Sequence, residues 1–289
     1  MTLKAEAFAK TNRSLFVRGK RPDGYHEIET VFQSIDLADE LEVSLAPSIE
    51  LECDDPSLPG GPGNLVFRAA ERLAKAYGVR AGARVRLTKR IPAGAGLGGG
   101  SSDAAIALAL LARLWETGAD LGSLSRIGSE IGSDVPFFFF GGAARGLGRG
   151  ELLTPLRDEP DRDLILVVPP FPVVTAAVYA RWRASGASPG GGGRNYFGSN
   201  DLASAVLQTE PEMARYLETV AKSFPDCQIS GSGSSIVAAF PEAAATDFES
   251  VRKGLPDAKV YVLRTVSREE YRRRSALDAF DLPEEVREQ

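Results

Sequence analysis

The glycine-rich stretch between residues 91 and 105 constrains the fold of this chain more than any other segment. It holds five glycines and two serines. Residues 85–89 before it alternate apolar and polar side chains, as a half-buried strand does, and residues 103–115 after it are rich in helix formers. A helix that starts there, capped by Ser101 or Ser102, presents unpaired N–H groups and the positive end of its dipole. The stretch is therefore predicted to bind phosphate.

Two common phosphate-binding patterns do not fit this loop. The P-loop requires a lysine directly after its second conserved glycine, and no lysine stands in such a position here. The dinucleotide fingerprint requires a glycine three residues after Gly98, where Ser101 stands instead. A flexible surface linker is the remaining alternative, and it is disfavoured because an ordinary linker does not join a strand to a long apolar helix.

Composition excludes several classes of protein. The net charge of −5 argues against nucleic acid or an anionic membrane as the main partner. Cys53 and Cys227 stand far apart, which indicates neither a disulfide framework nor a zinc site. No apolar run approaches the roughly 18 residues that span a bilayer. We therefore expect a cytoplasmic protein, monomeric or homodimeric, whose partner is a small-molecule substrate.

The hydrophobic pattern predicts an α+β chain with a boundary in the polar residues 157–162. One helix is expected to begin after Asn64, its N-cap, and to end at Tyr77 before Gly78. Further helices are predicted near 175–182, 202–207, 211–224 and 241–255, and strands at 15–17, 30–32, 41–45, 137–140, 164–168, 236–240 and 259–263. The alternation in the second half favours a ferredoxin-like sandwich. Residues 267–289 are charged and predicted to form a solvated, partly helical tail.

Three other segments carry residues suited to catalysis or ligand binding. A Pro-Asp-Gly turn presents Tyr25 and His26, which together can hold a planar base, although a lone histidine usually has no special role. Asp134 precedes an apolar run and is suited either to a turn or to general base catalysis, in which a nearby lysine such as Lys10 would keep it ionised. The Ser/Gly loop at residues 229–235 can close the opposite side of the phosphate site.

These motifs together resemble those of the GHMP kinase superfamily. Residues 92–102 closely match its Pro-x-x-x-Gly-Leu-Gly-Ser/Gly-Ser-Ser motif. The start Ala9-Lys10-x-Asn12 and residues 21–27 resemble one family within it, the kinases of 4-diphosphocytidyl-2-C-methyl-D-erythritol in the non-mevalonate isoprenoid pathway. The resemblance implies phosphorylation of the 2-hydroxyl of that substrate by ATP with Mg²⁺. It also implies a ribosomal-protein-S5-like N-terminal domain and a ferredoxin-like C-terminal domain. With the polar boundary given above, we expect them over residues 1–157 and 158–266, followed by the charged tail over residues 267–289.

The resemblance assigns roles to individual residues. Asp134 matches the catalytic aspartate that takes the proton of the substrate hydroxyl, and Lys10 matches the lysine that orients both groups. The expected ATP-binding residues are Asn64, near the adenine, with Pro92, Ala93, Gly94, Ala95, Gly96, Leu97, Gly98, Gly99, Gly100, Ser101 and Ser102. The expected substrate-binding residues are Asn12, Tyr25, His26, Thr175 and Tyr179. Of these, His26 would hydrogen-bond the cytosine and Tyr179 would stack on its face, while the Mg²⁺ ligands stay unassigned.

Two alternatives remain open from the sequence. Another GHMP kinase, acting on homoserine, mevalonate or galactose, would share the glycine loop but leave Tyr25 and His26 unexplained. A nucleotide-binding sensor or pseudokinase would keep the fold without the chemistry. The presence of Lys10 and Asp134 argues against it, whereas Arg13, where the family usually has an apolar residue, keeps it open.

Overall fold

Two sheets with helices packed against them make up the structure, a computed structural model that describes residues 1–159, 161–182, 197–240 and 248–282. The Gly-rich loop at residues 190–193 and part of the helix predicted at 241–255 lie outside the described residues. The last strand of the first sheet ends at Pro155, and the first strand of the second begins at Asp163. The domain bounds given above stay a prediction.

The first sheet is built on two long antiparallel strands that pair along nearly their whole length. Its six strands are β1 (Thr2–Lys20), β2 (His26–Ala46), β3 (Glu50–Cys53), β4 (Gly82–Thr88), β5 (Ala143–Leu147) and β6 (Leu152–Pro155). β4 pairs with the second half of β2 and β5 with its first half, so the order is β3-β4-β2-β5-β6, with β1 also against β2. β2 therefore connects all parts of this sheet.

The two long strands correct the sequence prediction. Three short strands were predicted here, at residues 15–17, 30–32 and 41–45. They are parts of β1 and β2, so their predicted lengths were wrong. The apolar alternation of β1 is interrupted at Lys10 and Asn12, whose polar side chains are nevertheless buried. Register shifts after Phe8 and after Asn12 flank this segment, and such bulges re-aim the side chains of a strand.

The helices of the first half share one hydrophobic core with the first sheet: α1 (Leu65–Tyr77), α2 (Gly99–Leu114), α3 (Leu121–Ser129) and the 3₁₀ helix Val135–Phe139. The prediction for α1 is confirmed, because Asn64 accepts a hydrogen bond from the N–H of Val66 and Gly78 ends the helix at φ 65°. The prediction of a serine cap for α2 was wrong. Gly98, at φ 72°, takes the N-cap position, so the helix starts within the glycine stretch.

The four phenylalanines at residues 137–140 were predicted as a strand, and this was wrong. Phe137, Phe138 and Phe139 are fully buried, as expected, but they belong to the 3₁₀ helix. Pro136 lies at the start of this helix, where its fixed φ suits a helical turn and its missing N–H costs no hydrogen bond. The turn begins directly after Asp134.

The second sheet has four antiparallel strands in the order β10-β7-β9-β8. Its elements are β7 (Asp163–Val168), α4 (Thr175–Arg181), α5 (Ala203–Thr209), α6 (Met213–Ser223), β8 (Gln228–Ile229), β9 (Ile236–Ala239), α7 (Phe248–Gly254) and β10 (Lys259–Arg264). The strands predicted at 164–168, 236–240 and 259–263 are confirmed to within about a residue. Within the described ranges, none of the helices combines the length and apolar character needed to cross a membrane.

The C-terminal segment returns to the first sheet. Helix α8 (Arg268–Arg274) buries Tyr271 completely, and Leu277 after it is also fully buried. Both side chains belong to the hydrophobic core under the first sheet. The prediction of a solvated tail was therefore wrong for this part of the chain, because charged residues on one side of α8 concealed the apolar side that packs.

Candidate active site

Glycine is needed at several positions of the loop, because neighbouring backbone and side-chain atoms lie too close for a larger residue. Gly94, Gly96 and Gly98 have positive φ values of 69°, 75° and 72°, which other residues rarely adopt. A Cβ atom at Gly98 would lie 2.8 Å from the ring of Phe138, and one at Gly96 would lie 2.6 Å from the carbonyl oxygen of Gly233. The loop is therefore packed into the molecule, which argues against a flexible linker.

A buried charged cluster holds the start of the glycine loop. The carboxylate of Asp39 accepts hydrogen bonds from the backbone N–H groups of Arg90 and Ile91 and pairs with the ammonium of Lys89. Lys89 also donates to Asp103 Oδ2 at 2.7 Å. Burial raises the pKa of Asp103 well above its usual range. The charge of Asp39 raises this pKa further, whereas the charge of Lys89 lowers it. The cluster fixes the point at which β4 passes into the loop.

The predicted ATP-binding residues surround one cleft, with a single exception. Asn64 and residues 92–101 line this glycine-loop cleft, whose volume is about 330 Å³. Asn64 Nδ2 donates to the carbonyl of Pro59 at 3.0 Å, while its Oδ1 caps α1. Ser102 is fully buried inside α2 and does not line the cleft. The cleft faces the first turn of α2, where backbone N–H groups lack helical partners.

Lys10 of β1 and Asp134 come together from distant parts of the chain. Lys10 Nζ lies 3.7 Å from Asp134 Oδ2 and donates to Asn12 Oδ1 at 2.8 Å. Asn12 Nδ2 in turn donates to Thr30 Oγ1 at 2.7 Å, so the lysine is held in a fixed position. Burial lowers the pKa of Lys10 below the usual lysine value, and the charge of Asp134 opposes this shift. The Asp134 side chain remains 33% exposed, so its carboxylate is accessible.

The Ser/Gly loop at residues 229–235 packs against both β1 and the glycine loop. Thr11 Oγ1 and the backbone N–H of Asn12 both donate to Ser230 Oγ, at 3.0 and 3.2 Å. Ser235 donates to the carbonyl of Ala95 through its backbone N–H at 3.2 Å and its hydroxyl at 2.7 Å. The two small-residue loops therefore contact each other, while closure of the phosphate site by the second loop stays a prediction.

A larger cleft lies beside the start of β2 and the helix α4. This aromatic cleft has a volume of about 810 Å³. The rings of His26 and Tyr179 stack with 4.9 Å between centroids, and Trp182 meets His26 edge-on at 5.6 Å. The guanidinium of Arg149 lies 4.8 Å from the ring centroid of Tyr25, which is 57% exposed. Flat rings accessible in this way can stack on a planar ligand.

Partial burial favours the neutral forms of His26 and Tyr179 in the aromatic cleft. Burial lowers the pKa of His26 below its usual value, and the charge of Lys20 acts in the same direction. Burial raises the pKa of the Tyr179 hydroxyl, assisted by the charge of Asp134. A neutral imidazole offers one hydrogen-bond donor and one acceptor. The cleft therefore has the means to read the edge of a base.

A central cavity of about 310 Å³ lies between the two clefts, and Lys10, Asn12 and Asp134 line it. The residues that it shares with the glycine-loop cleft are Gly96, Gly98 and Ser101, and those that it shares with the aromatic cleft are Ile28, Ser133, Arg149, Thr175 and Tyr179. Thr175 Oγ1 lies 2.7 Å from Ser232 Oγ on its border. Three of the predicted substrate-binding residues, Asn12, Thr175 and Tyr179, thus line the central cavity. The other two, Tyr25 and His26, lie in the adjoining aromatic cleft.

Two residues of the aromatic cleft were missed from the sequence: Arg149 and Trp182. Trp182 follows Tyr179 by three residues at the end of α4, and this helical spacing is the one signal that would have found it. Arg149 stands between two glycines of the turn from β5 to β6. This pattern indicates no site, because the role of Arg149 depends on distant parts of the chain.

Arg13, which kept the pseudokinase alternative open, does not enter these cavities. Its guanidinium pairs with Glu159 at 2.9 Å. It lies at the register shift between Asn12 and Ser14, and it is not among the described residues that line the two clefts or the central cavity. The departure from an apolar residue therefore leaves the Lys10–Asp134 pair intact.

Comparison with known proteins gives the family. Residues 64–142 match the family model described as the GHMP kinases N terminal domain. The 4-diphosphocytidyl-2-C-methyl-D-erythritol kinase of Salinibacter ruber is 39% identical over 282 residues, which cover 92% of this chain and 98% of that protein. The chain belongs to the 4-diphosphocytidyl-2-C-methyl-D-erythritol kinase family. Its superfamily, recognised from the sequence motifs, is thereby confirmed.

Two further comparisons agree with this family. The kinase of the same name from Pelotomaculum thermopropionicum is 52% identical over 185 residues, which span 63% of this chain and 64% of that protein. A crystal structure of 4-(cytidine 5'-diphospho)-2C-methyl-D-erythritol kinase superposes with a TM-score of 0.76 at 32% identity, covering 91% of this chain and 99% of the other. The predicted two-domain GHMP kinase fold is therefore confirmed, and ATP is the phosphoryl donor of such kinases.

Proposed function

We propose that this chain phosphorylates the 2-hydroxyl of 4-diphosphocytidyl-2-C-methyl-D-erythritol with ATP, a step of isoprenoid precursor synthesis. The observation that carries the proposal is the central cavity, in which Lys10 and Asp134 lie between the glycine-loop cleft and the aromatic cleft. The substrate carries a cytosine at one end and the reacting alcohol at the other, joined by a diphosphate. This order of groups matches the order of the cavities, and the relatives carry the name of the same kinase.

The reaction requires positioning and charge neutralisation more than covalent assistance. Backbone N–H groups of the glycine loop and the first turn of α2 would bind the ATP phosphates. The 2-hydroxyl oxygen forms a bond to the γ-phosphorus while the bond from that phosphorus to the bridging oxygen of ADP breaks. Asp134 accepts the hydroxyl proton, and Lys10, fixed by Asn12, holds the carboxylate and the hydroxyl in line.

The donor groups fit a Mg²⁺ ion that arrives with ATP. Across the described ranges, no three His, Cys, Asp or Glu side chains are grouped so as to hold a metal ion. Mg²⁺ in kinases is bound through substrate phosphates and one or two protein oxygens. The hydroxyl of Ser101 and the carboxylate of Asp134 line the same cavity and would be those oxygens. The ion would neutralise phosphate charge during transfer.

The aromatic cleft would select the cytidyl end of the substrate. Neutral His26 would hydrogen-bond the polar edge of the cytosine, and the rings of Tyr25 and Tyr179 would pack on its faces. Asn12 and Thr175 line the central cavity and would contact the methylerythritol part. Asn64, at the border of the glycine-loop cleft, would lie near the adenine.

An ADP-release assay with three alcohols tests the proposal. Turnover with 4-diphosphocytidyl-2-C-methyl-D-erythritol, and none with homoserine or mevalonate, is the expected result. Preference for homoserine or mevalonate would indicate another GHMP kinase, and nucleotide binding without ADP release from any alcohol would indicate a sensor. Mass spectrometry of the product checks that one phosphoryl group is added to the cytidyl substrate, and the Lys10→Ala variant is the inactive control.

A further inference from the structure

The C-terminal segment, residues 267–277, packs against the element that carries Asp134. The hydroxyl of Tyr271 donates to the carbonyl oxygen of Phe138 at 2.7 Å, within the 3₁₀ helix that starts after Asp134. The tyrosine ring also lies against Gly141, where an added Cβ atom would be 2.1 Å from ring carbon Cδ1. The C-terminal segment and the end of the 3₁₀ helix therefore fit together without spare room.

The other side of Phe138 faces the candidate active site. A Cβ atom at Gly98 would lie 2.8 Å from Cζ of Phe138 and 3.1 Å from Cγ of Lys10. The ring of Phe138 thus touches the point where the glycine loop meets the stem of the lysine. The 3₁₀ helix lies between Tyr271 on one side and the Lys10–Asp134 pair with the glycine loop on the other.

The C-terminal segment is itself fixed to the first sheet. Arg274 pairs with Glu6 of β1 through two contacts of 2.6 and 2.9 Å and with Asp36 of β2 at 2.9 Å. At the other end of α8, the guanidinium of Arg268 donates to the carbonyls of Ala143 and Leu156 at 2.7 and 3.0 Å. Charge-assisted hydrogen bonds of this kind are the stronger ones in proteins, so the segment can act as a rigid support.

We propose that Tyr271 is a positioning residue for phosphoryl transfer, because its hydrogen bond to Phe138 sets the position of the 3₁₀ helix and hence of Asp134. This inference rests on the proposed function for the role of Asp134. It gives a role to a segment that belongs to neither sheet and that contributes no residue to the clefts. Burial raises the pKa of Tyr271, so its hydroxyl stays protonated and remains a donor at neutral pH. A small displacement of a catalytic group reduces turnover strongly.

A pair of Tyr→Phe variants tests the proposal kinetically. Tyr271→Phe keeps the ring and removes the hydrogen bond, and we expect kcat to fall about tenfold while both KM values change less than about twofold. Tyr216→Phe is the matched control, since the Tyr216 ring is equally buried in the other core and its hydroxyl donates to Asp257 at 2.6 Å. Equal kcat values for the two variants would overturn the proposal.

Amide hydrogen exchange gives a readout that does not depend on turnover. In Tyr271→Phe, the amides of residues 135–141 should exchange faster, whereas those of α6 should not change; unaltered exchange at residues 135–141 would also overturn the proposal. If Tyr271→Phe does not fold, Arg274→Gln takes its place in the experiment. We expect the same pattern of amide exchange in Arg274→Gln and a smaller loss of kcat. If the wild-type chain released no ADP from the cytidyl substrate, the proposed function would fail, and exchange would still decide whether Tyr271 fixes the helix.

Discussion

The glycine-loop cleft and the aromatic cleft are built from different chemical groups. Residues 92–101 of the first cleft are mostly glycine, alanine and serine, so its surface is largely backbone. The second cleft is lined by large side chains, among them His26, Tyr179 and Trp182. Backbone N–H groups bind any phosphate, whereas rings and polar edges distinguish one ligand from another. Binding of the phosphoryl donor and selection of the acceptor are thus separate properties of this molecule.

The Lys10–Asp134 pair belongs to neither cleft, because it lies in the cavity between them. Changes at the pair should therefore stop turnover without preventing either ligand from binding. Changes in one cleft should lower kcat/KM for one ligand alone, either ATP or the cytidyl substrate.

The largest effect is expected at Asp134. Asp134→Asn removes the proton acceptor, and we expect turnover to fall by about 10²- to 10⁴-fold in a steady-state ADP-release assay, with a preserved thermal midpoint. Asp120→Asn is the control, because Asp120 caps α3 and asparagine caps a helix equally well. Near-normal turnover of Asp134→Asn would show that another group accepts the proton.

A pair of glycine variants tests the first cleft. Gly98 and Gly118 have nearly the same positive φ, 72° and 69°, so alanine strains the backbone equally at both positions. A Cβ atom at Gly98 meets Phe138 and Lys10, whereas one at Gly118 has no heavy atom within 4 Å. We expect kcat/KM for ATP to fall about a hundredfold in Gly98→Ala and to stay unchanged in Gly118→Ala. Equal kinetics would mean that the close packing of the loop has no part in ATP use.

A change in the second cleft should act on the cytidyl substrate alone. Tyr179→Ala removes a stacking surface that is worth about 1–3 kcal/mol per base, so we expect kcat/KM for the cytidyl substrate to fall at least about fivefold. KM for ATP should stay at the wild-type value, as it should in Tyr77→Ala, a change on the surface of α1. An equal rise of KM for ATP in Tyr179→Ala would contradict the separation of the two clefts.

The difference between the clefts also explains what could be predicted from the sequence. The glycine loop and helix α1 are local features, since their caps and neighbouring elements lie within a few residues. The proximity of Lys10 and Asp134 is not local, and the residues alone gave no distance between them. It was expected only through the resemblance to the GHMP kinases. Arg149 was missed for the same physical reason.

Two errors arose in segments whose sequence shows no clear hydrophobic period. Four consecutive phenylalanines alternate neither as a strand nor as a helix, so their burial was predictable and their conformation was not. In the C-terminal segment, the charges were read as a sign of solvation. Tyr271 nevertheless reaches Phe138, more than a hundred residues earlier, and no local pattern indicates which surface such a helix covers.

The pH dependence of kcat should report the burial of Lys10. Burial lowers the pKa of this lysine, so its charge is lost as the pH rises through a value below the usual one of about 10.4. Turnover should therefore decline on the alkaline side earlier than an exposed lysine would allow. Lys10→Arg carries a guanidinium that stays charged, and its remaining turnover should show no such decline. If kcat of Lys10→Arg declined at the same alkaline pH as that of the wild type, the decline would belong to another titrating group.

The smallest effect is expected at acid pH, and only on KM for the cytidyl substrate, which the aromatic cleft would bind. The pKa of His26 is lowered by burial and by Lys20, so half of the imidazole is protonated only at a pH below the usual value of about 6.5. The cation loses its acceptor nitrogen, and KM for the cytidyl substrate should rise a few-fold as the pH falls through that lowered pKa, while KM for ATP stays constant. His26→Gln keeps a donor and an acceptor without a titrating group, so its KM should be flat over the same range. A parallel acid rise in KM for ATP would mean that the two clefts do not titrate independently.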